Sequence, residues 1–265
     1  MAADTPTRVI DQAALRSLFD LTDRVAIVTG GTRGIGRAVA EGFAAAGAKV
    51  VVASRKADAC AETEAHLTSL GADALGVATH LGDLDDLAVL VERTVDRFGR
   101  LDIVVNNAAT SVALPLGHFT VDAWNKVYDV NLRGPVFLVQ AALPHLEASP
   151  CGSVINVLSV GAFMFCADVS MYAGAKAALM AFTRTMAADF APRGIRVNAL
   201  APGAVDTDMV RNTSPAAQKG MAEASLQRRI ARPEEMIGPA LFLASDASSF
   251  VTGQVVIADG GLVPH

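Results

Sequence analysis

Apolar residues along the chain follow two patterns, short continuous runs and longer stretches with a helical period. Seven short runs are rich in Val and Ile, which is typical of strands that are covered on both faces. These predicted strands are Arg24–Gly30, Lys49–Ser54, Ala74–Leu81, Asp102–Ala108, Ser153–Ser159, Gly194–Gly203 and Gly253–Gly261. The segments between them predict helices at about residues 34–46, 58–70, 84–98, 121–146, 170–191 and 233–244.

This alternation of strand and helix predicts a parallel sheet with right-handed crossovers, wound in both directions from the first strand. The expected fold is a single-domain, Rossmann-type α/β fold, with a doubly wound seven-stranded parallel sheet flanked by helices on both faces. We expect residues 1–20 to be an N-terminal extension with a helix over Gln12–Asp20, and residues 21–265 to form the domain. Within the domain, residues 206–232 are predicted to be a mobile, partly helical substrate lid.

Composition narrows the class of protein. Of the 265 residues, 52% are hydrophobic and 18% are charged, which supports a large core and argues against disorder. The net charge is −5 and there is no basic stripe, so nucleic acid is not an expected partner. No segment has the pattern of a membrane span or a signal peptide, so we expect no membrane partner and a cytoplasmic location. The three cysteines lack metal-ligand spacing, and no metal site is predicted.

The first predicted strand ends in the glycine-rich segment TGGTRGIG, with Gly30, Gly34 and Gly36 at the turn. Glycines let the backbone approach a pyrophosphate, and the N-terminus of the following helix offers free N–H groups to phosphates. A glycine cluster alone would fit a tight turn, but this one follows a strand and opens a helix that leads to a second strand. The segment therefore predicts a dinucleotide site. Its spacing T-G-x-x-x-G-x-G resembles the classical short-chain dehydrogenase/reductase family, over roughly residues 21–262.

The residues after the second strand bear on the choice between NADP(H) and NAD(H). Ser54 stands where an acid in this family usually binds the ribose of NAD, and Arg55 and Lys56 follow it. Arg33 lies in the glycine loop and could converge on the same place. Because guanidinium groups match phosphate oxygens in pairs, NADP(H) is favoured and NAD(H) is the alternative. In the other interpretation, Arg55 and Lys56 are solvated surface charges.

The resemblance implies further contacts with the cofactor. His80 and Leu81 depart from the family pattern, which often has an acid near the adenine, and Ala109 replaces the last glycine of N-N-A-G. The segment APGAVDTDM resembles the motif P-G-x-V-x-T, which implies that Val205 and Thr207 bind the carboxamide. The full expected set is Gly30, Thr32, Arg33, Gly34, Ile35, Gly36, Ser54, Arg55, Lys56, His80, Leu81, Asn107, Ala108, Ala109, Tyr172, Lys176, Pro202, Gly203, Val205 and Thr207.

A phenol and an ammonium lie one turn apart in the segment VSMYAGAKAAL. Tyr172 and Lys176 are four residues apart, so they share one face of the predicted helix. A cation about 5 Å from the phenol would lower its pKa from about 10 to roughly 8, nearer the range for proton transfer. In isolation these residues would be a packed tyrosine and a solvated lysine. Two further residues of the sequence favour a catalytic interpretation instead. Ser159 ends the preceding strand, and Asn131 lies on the preceding long helix.

In the family that the chain resembles, such residues form the catalytic set, which implies catalytic roles for Asn131, Ser159, Tyr172 and Lys176. Tyr172 would exchange a proton with the substrate oxygen, and Ser159 would hold that oxygen by a hydrogen bond. Lys176 would lower the pKa of Tyr172 and bind the nicotinamide ribose, while Asn131 would position a water that links Lys176 to solvent. The implied function is NADP(H)-dependent hydride transfer between the nicotinamide and a ketone, an aldehyde or a secondary alcohol.

The expected substrate pocket is apolar, built from the lid and from Val112, Leu114, Pro115 and residues 161–166. Phe163, Met164 and Phe165 would either pack in the core or line this pocket, and the second case favours a fairly apolar substrate. Two other functions stay open. One is an NAD(H)-dependent dehydrogenase of a sugar, polyol or 3-hydroxyacyl compound, and the other is a catalytically silent nucleotide-binding or scaffold protein. The resemblance also implies a homotetramer or a homodimer.

Overall fold

The computed structural model describes residues 10–263, and a sheet of seven parallel strands lies at its centre. In chain order the strands are β1 (Val25–Thr29), β2 (Lys49–Ser54), β3 (Ala74–Ala78), β4 (Ile103–Asn106), β5 (Ser153–Val157), β6 (Arg196–Pro202) and β7 (Val255–Ala258). Their order across the sheet is β3-β2-β1-β4-β5-β6-β7. The chain winds outward from β1 on one side and from β4 on the other, so the predicted doubly wound parallel sheet is confirmed.

Helices occupy most of the connections between the strands. Within the described residues the α-helices are α1 (Gln12–Ser17), α2 (Gly34–Ala45), α3 (Ala57–Ser69), α4 (Leu84–Phe98), α5 (Val121–Tyr128), α6 (Gly134–Ala148), α7 (Ser170–Phe190), α8 (Asp208–Arg211), α9 (Pro215–Ala224) and α10 (Ile237–Ala244). None of the helices in residues 10–263 combines the length and the apolar character needed to cross a lipid bilayer.

Alternate residues of the central strands point into two separate apolar clusters. Val28 of β1 shares one cluster with Phe43 of α2, whereas its neighbour Ile27 shares the other with Leu90 of α4 and Leu138 of α6. Successive side chains of a strand point to opposite faces of a sheet, so the two clusters lie on opposite faces. The continuous Val and Ile runs of the sequence therefore arise because both faces of these strands pack against helices.

The helix predicted at residues 121–146 is wrong as a single element. Helix α5 ends at Tyr128, a π-helical turn spans Asp129–Arg133, and α6 begins at Gly134. Pro135 has no backbone N–H and cannot continue the ordinary helical ladder from α5. Gly134 also packs so closely on the carbonyl of Leu81 that a Cβ at this position would collide with it. The interruption places Asn131 in a wide turn rather than in a regular helix.

Other predicted bounds are corrected by smaller amounts. Strand β3 ends at Ala78 rather than Leu81, because the His80 N–H donates to the Asp86 carboxylate and turns the chain towards α4. The segment at 233–244 begins with a 3₁₀ turn over Pro233–Met236 before α10. Helix α1 is shorter than the predicted Gln12–Asp20, and residues 1–9 of the expected extension lie outside the described residues.

The expected lid contains two short helices, α8 and α9, joined by loops to the core. Val205, at its start, is buried and forms an isolated parallel bridge with Ala231 near its end. Both ends of the lid are therefore tied together close to the end of β6. Its mobility stays a prediction.

Candidate active site

The glycine loop lies at the carboxyl end of β1, at the sheet edge where open α/β folds bind ligands. The Gly30 N–H donates to the Ala53 carbonyl of β2 at 2.7 Å, and α2 begins four residues later at Gly34. Gly30 has φ +65° and Gly34 has φ +54°, which are left-handed conformations that favour glycine. Gly36 is so close to Gly30 O that a Cβ there would collide with it. The loop thus has the sharp turn and the close packing that glycine allows.

These residues fit a bound dinucleotide. A Cβ on Gly30 would lie 2.9 Å from Asn107 Nδ2 and 3.0 Å from Ala108 Cα, so the bare backbone at Gly30 brings the loop against the end of β4. Arg33 precedes α2 without capping its first turn by a side-chain hydrogen bond. The N–H groups of that turn therefore remain available to an anion, and the helix dipole favours negative charge there.

Thr29 fixes the second side of this cleft, and it was not among the predicted residues. Its Oγ1 accepts hydrogen bonds from the N–H groups of Asn107 and Ala108, both at 3.0 Å. Asn107 Nδ2 in turn donates to the Thr29 carbonyl at 2.8 Å. The signal in the sequence is the hydroxyl residue that stands directly before the first glycine of the loop.

The segment after β6 reaches the same cleft. A Cβ on Gly34 would lie 3.0 Å from Thr207 Cγ2, so Thr207 contacts the glycine loop. Pro202 ends β6, Gly203 packs against Asp259, and Val205 is buried beneath the start of the lid. The structure therefore brings together two motifs that are more than 160 residues apart in the sequence.

The cations expected near a 2′-phosphate lie at the ends of β1 and β2. Ser54 ends β2, and Arg55 and Lys56 follow it on the surface. In residues 10–263 neither Arg55 nor Lys56 takes part in an ion pair. Arg33 differs, because its Nη1 donates to the Asp208 carboxylate at 2.7 Å. This contact with the lid was not predicted.

The remaining predicted cofactor residues differ in their exposure. His80 is exposed, whereas Leu81 is buried in the apolar cluster beside α4 and α6, so a nucleotide could contact little more than its backbone. The other members of the set are half-buried around the cleft, and they are Thr32, Ile35 and Ala109.

Ser159, Tyr172 and Lys176 meet beyond the carboxyl end of β5. Ser159 lies two residues after the strand, and its Oγ accepts a 3.1 Å hydrogen bond from the Gly161 N–H. Tyr172 and Lys176 project from α7 as the spacing predicts, with Lys176 Nζ 5.7 Å from the centre of the Tyr172 ring. Lys176 is buried, and its Nζ donates to the Val157 carbonyl at 2.6 Å.

The electrostatic prediction for this pair is wrong in this structure. Burial raises the pKa of Tyr172 to about 12, and its hydrogen bond with the Ser159 side chain opposes this only in part. Burial also lowers the pKa of Lys176 to about 7, so much of its positive charge is lost at neutral pH. For both groups the largest cause of the shift is burial, because removal from water disfavours the charged form. Tyr172 is therefore a protonated phenol at neutral pH.

Asn131 lies in the π-helical turn and is fully buried. Its Nδ2 donates to the carbonyls of Thr110 at 2.7 Å and Val127 at 2.8 Å, and its Oδ1 accepts from the Thr110 N–H at 3.2 Å. Both amide hydrogens are thus bound to the main chain. The water contact expected of Asn131 could use only the remaining lone pair of Oδ1.

Residues 163–165, which follow the buried Val160 and Gly161, are not part of the core. Phe163 and Met164 are exposed, and Phe165 is almost fully exposed, so the interpretation of these side chains as buried packing is wrong. Cys166 ends the segment 161–166 that was expected to line the pocket, although the sequence assigned it no role of its own. A Cβ on Gly161 would lie 3.2 Å from Cys166 Sγ and 3.4 Å from Ser159 Oγ, so the thiol and the serine hydroxyl both lie next to this glycine.

The expected pocket residues on the other side contact α7. Val112 and Leu114 pack against Val127 and against Met171 and Ala175 of α7. The Leu114 N–H donates to the carbonyl of Asp168 at 2.7 Å. The loop after β4 is therefore anchored beside the helix that carries Tyr172.

Comparison with known proteins identifies the family. The model of the family described as Enoyl-(Acyl carrier protein) reductase matches residues 30–263. The chain is 37% identical, over 92% of its length and 98% of the relative, to a 3-oxoacyl-[acyl-carrier-protein] reductase from Synechocystis sp..

Two solved structures are similar over nearly the whole chain. A short-chain type dehydrogenase/reductase from Mycobacterium marinum is 31% identical, with a TM-score of 0.89 over 94% of this chain and 99% of that one. A Beutenbergia cavernae protein, whose structure holds NADP at low occupancy, is 36% identical, with a TM-score of 0.87 over 92% of this chain and 98% of that one. The chain belongs to the short-chain dehydrogenase/reductase family of NAD(P)-dependent oxidoreductases.

Proposed function

We propose that this chain is an NADP(H)-dependent oxidoreductase that reduces fairly apolar ketones or aldehydes and oxidises the matching secondary alcohols. The observation that carries the proposal is the meeting of Ser159, Tyr172 and Lys176 beside the glycine-loop cleft. A module that only bound nucleotides would have no use for a half-buried phenol and a buried amine at the edge of the cleft.

Different residues of the cleft would bind different parts of the dinucleotide. The first turn of α2 and the glycine loop would hold the pyrophosphate, while Thr207 and the Val205 backbone would hold the nicotinamide carboxamide. Lys176 uses one hydrogen on Val157 O, which leaves two for the nicotinamide ribose in its charged form and one in its neutral form. The bound cofactor supplies or accepts the hydride, and the protein supplies placement and electrostatics.

The catalytic proton moves at the Tyr172 hydroxyl. A pKa of about 12 keeps this group protonated at neutral pH, which suits a general acid that donates to the oxygen of a carbonyl under reduction. Ser159 Oγ accepts from the Gly161 N–H, and its own O–H, which interacts with the Tyr172 hydroxyl in the free protein, would turn to donate to the same substrate oxygen when substrate binds. The proposed direction at neutral pH is therefore reduction.

The choice of NADP(H) over NAD(H) is supported by charge at the end of β2. Ser54 offers no carboxylate to repel a 2′-phosphate, and the side chains of Arg55 and Lys56 are exposed beside it. The relative from Beutenbergia cavernae, which is seen with NADP, agrees with this choice.

An apolar substrate is supported by the surface around Ser159. Phe163, Met164 and Phe165 of the following segment are exposed, as are Met209 and Leu226 of the lid. Exposed apolar side chains at a ligand site favour an apolar partner. A 3-oxoacyl compound is one alternative, which the Synechocystis relative suggests. A polyol or sugar is the other, because the Beutenbergia cavernae relative is described as an NAD(P) dependent gluconate 5-dehydrogenase.

Assembly and location form a further part of the proposal. Trp124, Phe137 and Phe182 are exposed on α5, α6 and α7, and these faces would be covered in a homotetramer or homodimer. Light scattering of the purified chain would measure the mass of the assembly.

The proposed location is the cytoplasm, which suits three unpaired cysteines.

Steady-state assays at 340 nm with both reduced cofactors and a panel of ketones, aldehydes, 3-oxoacyl thioesters and keto sugars test the function. We expect kcat/KM to favour NADPH, with the apolar ketones as the better substrates. Arg55→Asp should lower kcat/KM with NADPH by at least about tenfold and leave NADH almost unchanged, because a guanidinium–phosphate contact is charge-assisted.

Arg93→Asp is the matched control, since Arg93 is an exposed arginine on α4 and the change in charge is the same. It should leave the cofactor preference unaltered. A clear preference of the unmodified protein for NADH would contradict the proposed cofactor. Tight NADPH binding without turnover of any compound in the panel would indicate a silent nucleotide-binding protein.

A further inference from the structure

An ion pair connects the glycine loop with the start of the lid. Arg33 Nη1 lies 2.7 Å from Asp208 Oδ2, across 175 residues of sequence. Both side chains are largely in solvent, at 73% exposed for Arg33 and 51% for Asp208. The contact is therefore one that a ligand from solvent can reach and replace.

The neighbours of Asp208 leave Arg33 as its main partner. Arg211, one turn along the lid, is already held by Asp206 through two contacts of 2.7 and 2.9 Å. Thr207, the preceding residue, contacts Gly34 of the glycine loop, so the carboxylate of Asp208 is held close to the cleft. The lid thus places the Asp208 carboxylate near the site where NADP(H) would bring its negative 2′-phosphate.

The guanidinium of Arg33 is also an expected partner of the 2′-phosphate of NADP(H). A phosphate of that kind carries close to two negative charges and would draw on the same guanidinium, whose Nη1 now binds Asp208. NAD(H) has a neutral hydroxyl at this position and does not need Arg33. Competition for Arg33 therefore lowers the affinity for NADP(H) and leaves the affinity for NAD(H) unchanged.

We propose that Asp208 is a positioning residue that sets cofactor specificity, by competing with the 2′-phosphate for Arg33 and so weakening the preference for NADP(H). The inference rests on the proposed function, since it requires Arg33 to bind the phosphate. Binding of NADP(H) separates Arg33 from Asp208, whereas binding of NAD(H) leaves the ion pair in place. Linkage makes the effect reciprocal, so the ion pair opposes NADP(H) as much as NADP(H) opposes the ion pair.

Dissociation constants of NADPH and NADH test this, measured from the nicotinamide fluorescence of each cofactor on titration with purified full-length protein. The variants are Asp208→Asn, Arg33→Ala and the double variant. Exposed ion pairs are weak, so Asp208→Asn should tighten NADPH by about two- to fivefold and leave NADH unchanged. In the Arg33→Ala background the same change should have no effect on NADPH, because the shared partner is gone.

Three results would overturn the inference. Asp208→Asn could leave the NADPH constant unchanged, it could change both cofactors by the same factor, or its effect on NADPH could persist without Arg33. The last result would mean that Asp208 acts by direct repulsion. Failure of the proposed cofactor choice is distinguishable, because Arg33→Ala alone would then weaken NADPH no more than NADH.

Discussion

Lys176 Nζ lies 5.7 Å from the centre of the Tyr172 ring and is bound to the Val157 carbonyl at 2.6 Å. The two groups have the separation that the helical spacing predicts, yet burial controls their protonation. The phenol keeps its proton, with a pKa of about 12, and the amine holds its proton weakly, with a pKa of about 7. Three of the predictions below follow from this pair.

Tyr172→Phe should lower kcat/KM by about a hundred- to ten-thousandfold, because it removes the proton donor and little else. The dissociation constant of NADPH should change by less than about twofold, since the phenyl ring is retained. The chain offers a matched control in Tyr128, its only other tyrosine, which is stacked on Trp124. Tyr128→Phe should keep most of the activity. Turnover that survives in Tyr172→Phe would rule out Tyr172 as the acid.

The two directions of the reaction should respond differently to pH. Reduction needs the protonated phenol, which a pKa of about 12 maintains across the neutral range. Oxidation needs the phenolate. At any pH below the pKa, the phenolate fraction rises about tenfold for each unit of increase in pH. Initial rates from pH 6 to pH 10 should therefore rise steeply for alcohol oxidation and change much less for carbonyl reduction. A flat oxidation profile would indicate that the phenol ionises far more easily when the cofactor is bound.

Lys176 should also make stability depend on pH. Its folded pKa of about 7 lies below the unfolded value near 10.4, so between these values the unfolded chain binds more protons and stability rises with pH. Below pH 7 the amine is charged in both states, and the cost of burying that charge is fully present. The melting temperature of the unmodified protein should therefore rise from pH 7 to pH 9 relative to Lys176→Met. Parallel pH profiles for the two proteins would contradict the lowered pKa.

Alkylation of Cys166 should inactivate the enzyme, because its sulfur and Ser159 Oγ both lie next to Gly161, and a group added there would fill the space for the substrate oxygen. Burial raises the pKa of this thiol, so labelling by iodoacetamide should be slow and should accelerate with pH. Mass spectrometry would follow the modification alongside activity.

The other two cysteines serve as controls for this labelling. Cys60 is buried, and Cys151 lies beside the buried Asp102 near the start of β5, at the opposite edge of the sheet. Cys166→Ala should be active and resistant to the reagent, whereas Cys151→Ala should stay sensitive. Loss of activity in Cys166→Ala on treatment would place the sensitive group elsewhere.

The sequence predicted the fold well because strands that are buried on both faces have continuous apolar sequences. All seven strands were located, and the errors are confined to their ends, where side chains such as Asp86 divert the backbone. The break between α5 and α6 escaped prediction because the apolar period runs through it. Pro135 was a visible signal of the break, and the close approach of Gly134 to Leu81 is the second reason, which only the structure shows.

The candidate site was less predictable than the fold. Motif spacing identified which residues would meet, but it could not show the contact between Arg33 and Asp208, which depends on how the lid returns to the glycine loop. It also could not give the protonation of Tyr172 and Lys176. That depends on how completely the surrounding elements exclude water, which is a property of tertiary packing.

The pairing of β1 with β4 joins residues Ala26–Val28 to Ile103–Val105, through three matched positions. Nucleotide-binding residues of the glycine loop come from one side of this seam, and the serine, tyrosine and lysine come from the other. Parallel neighbours can pair only after the long segment between them is in place. The complete nucleotide cleft and catalytic competence therefore arise together, only when the two halves of the chain dock along that short seam.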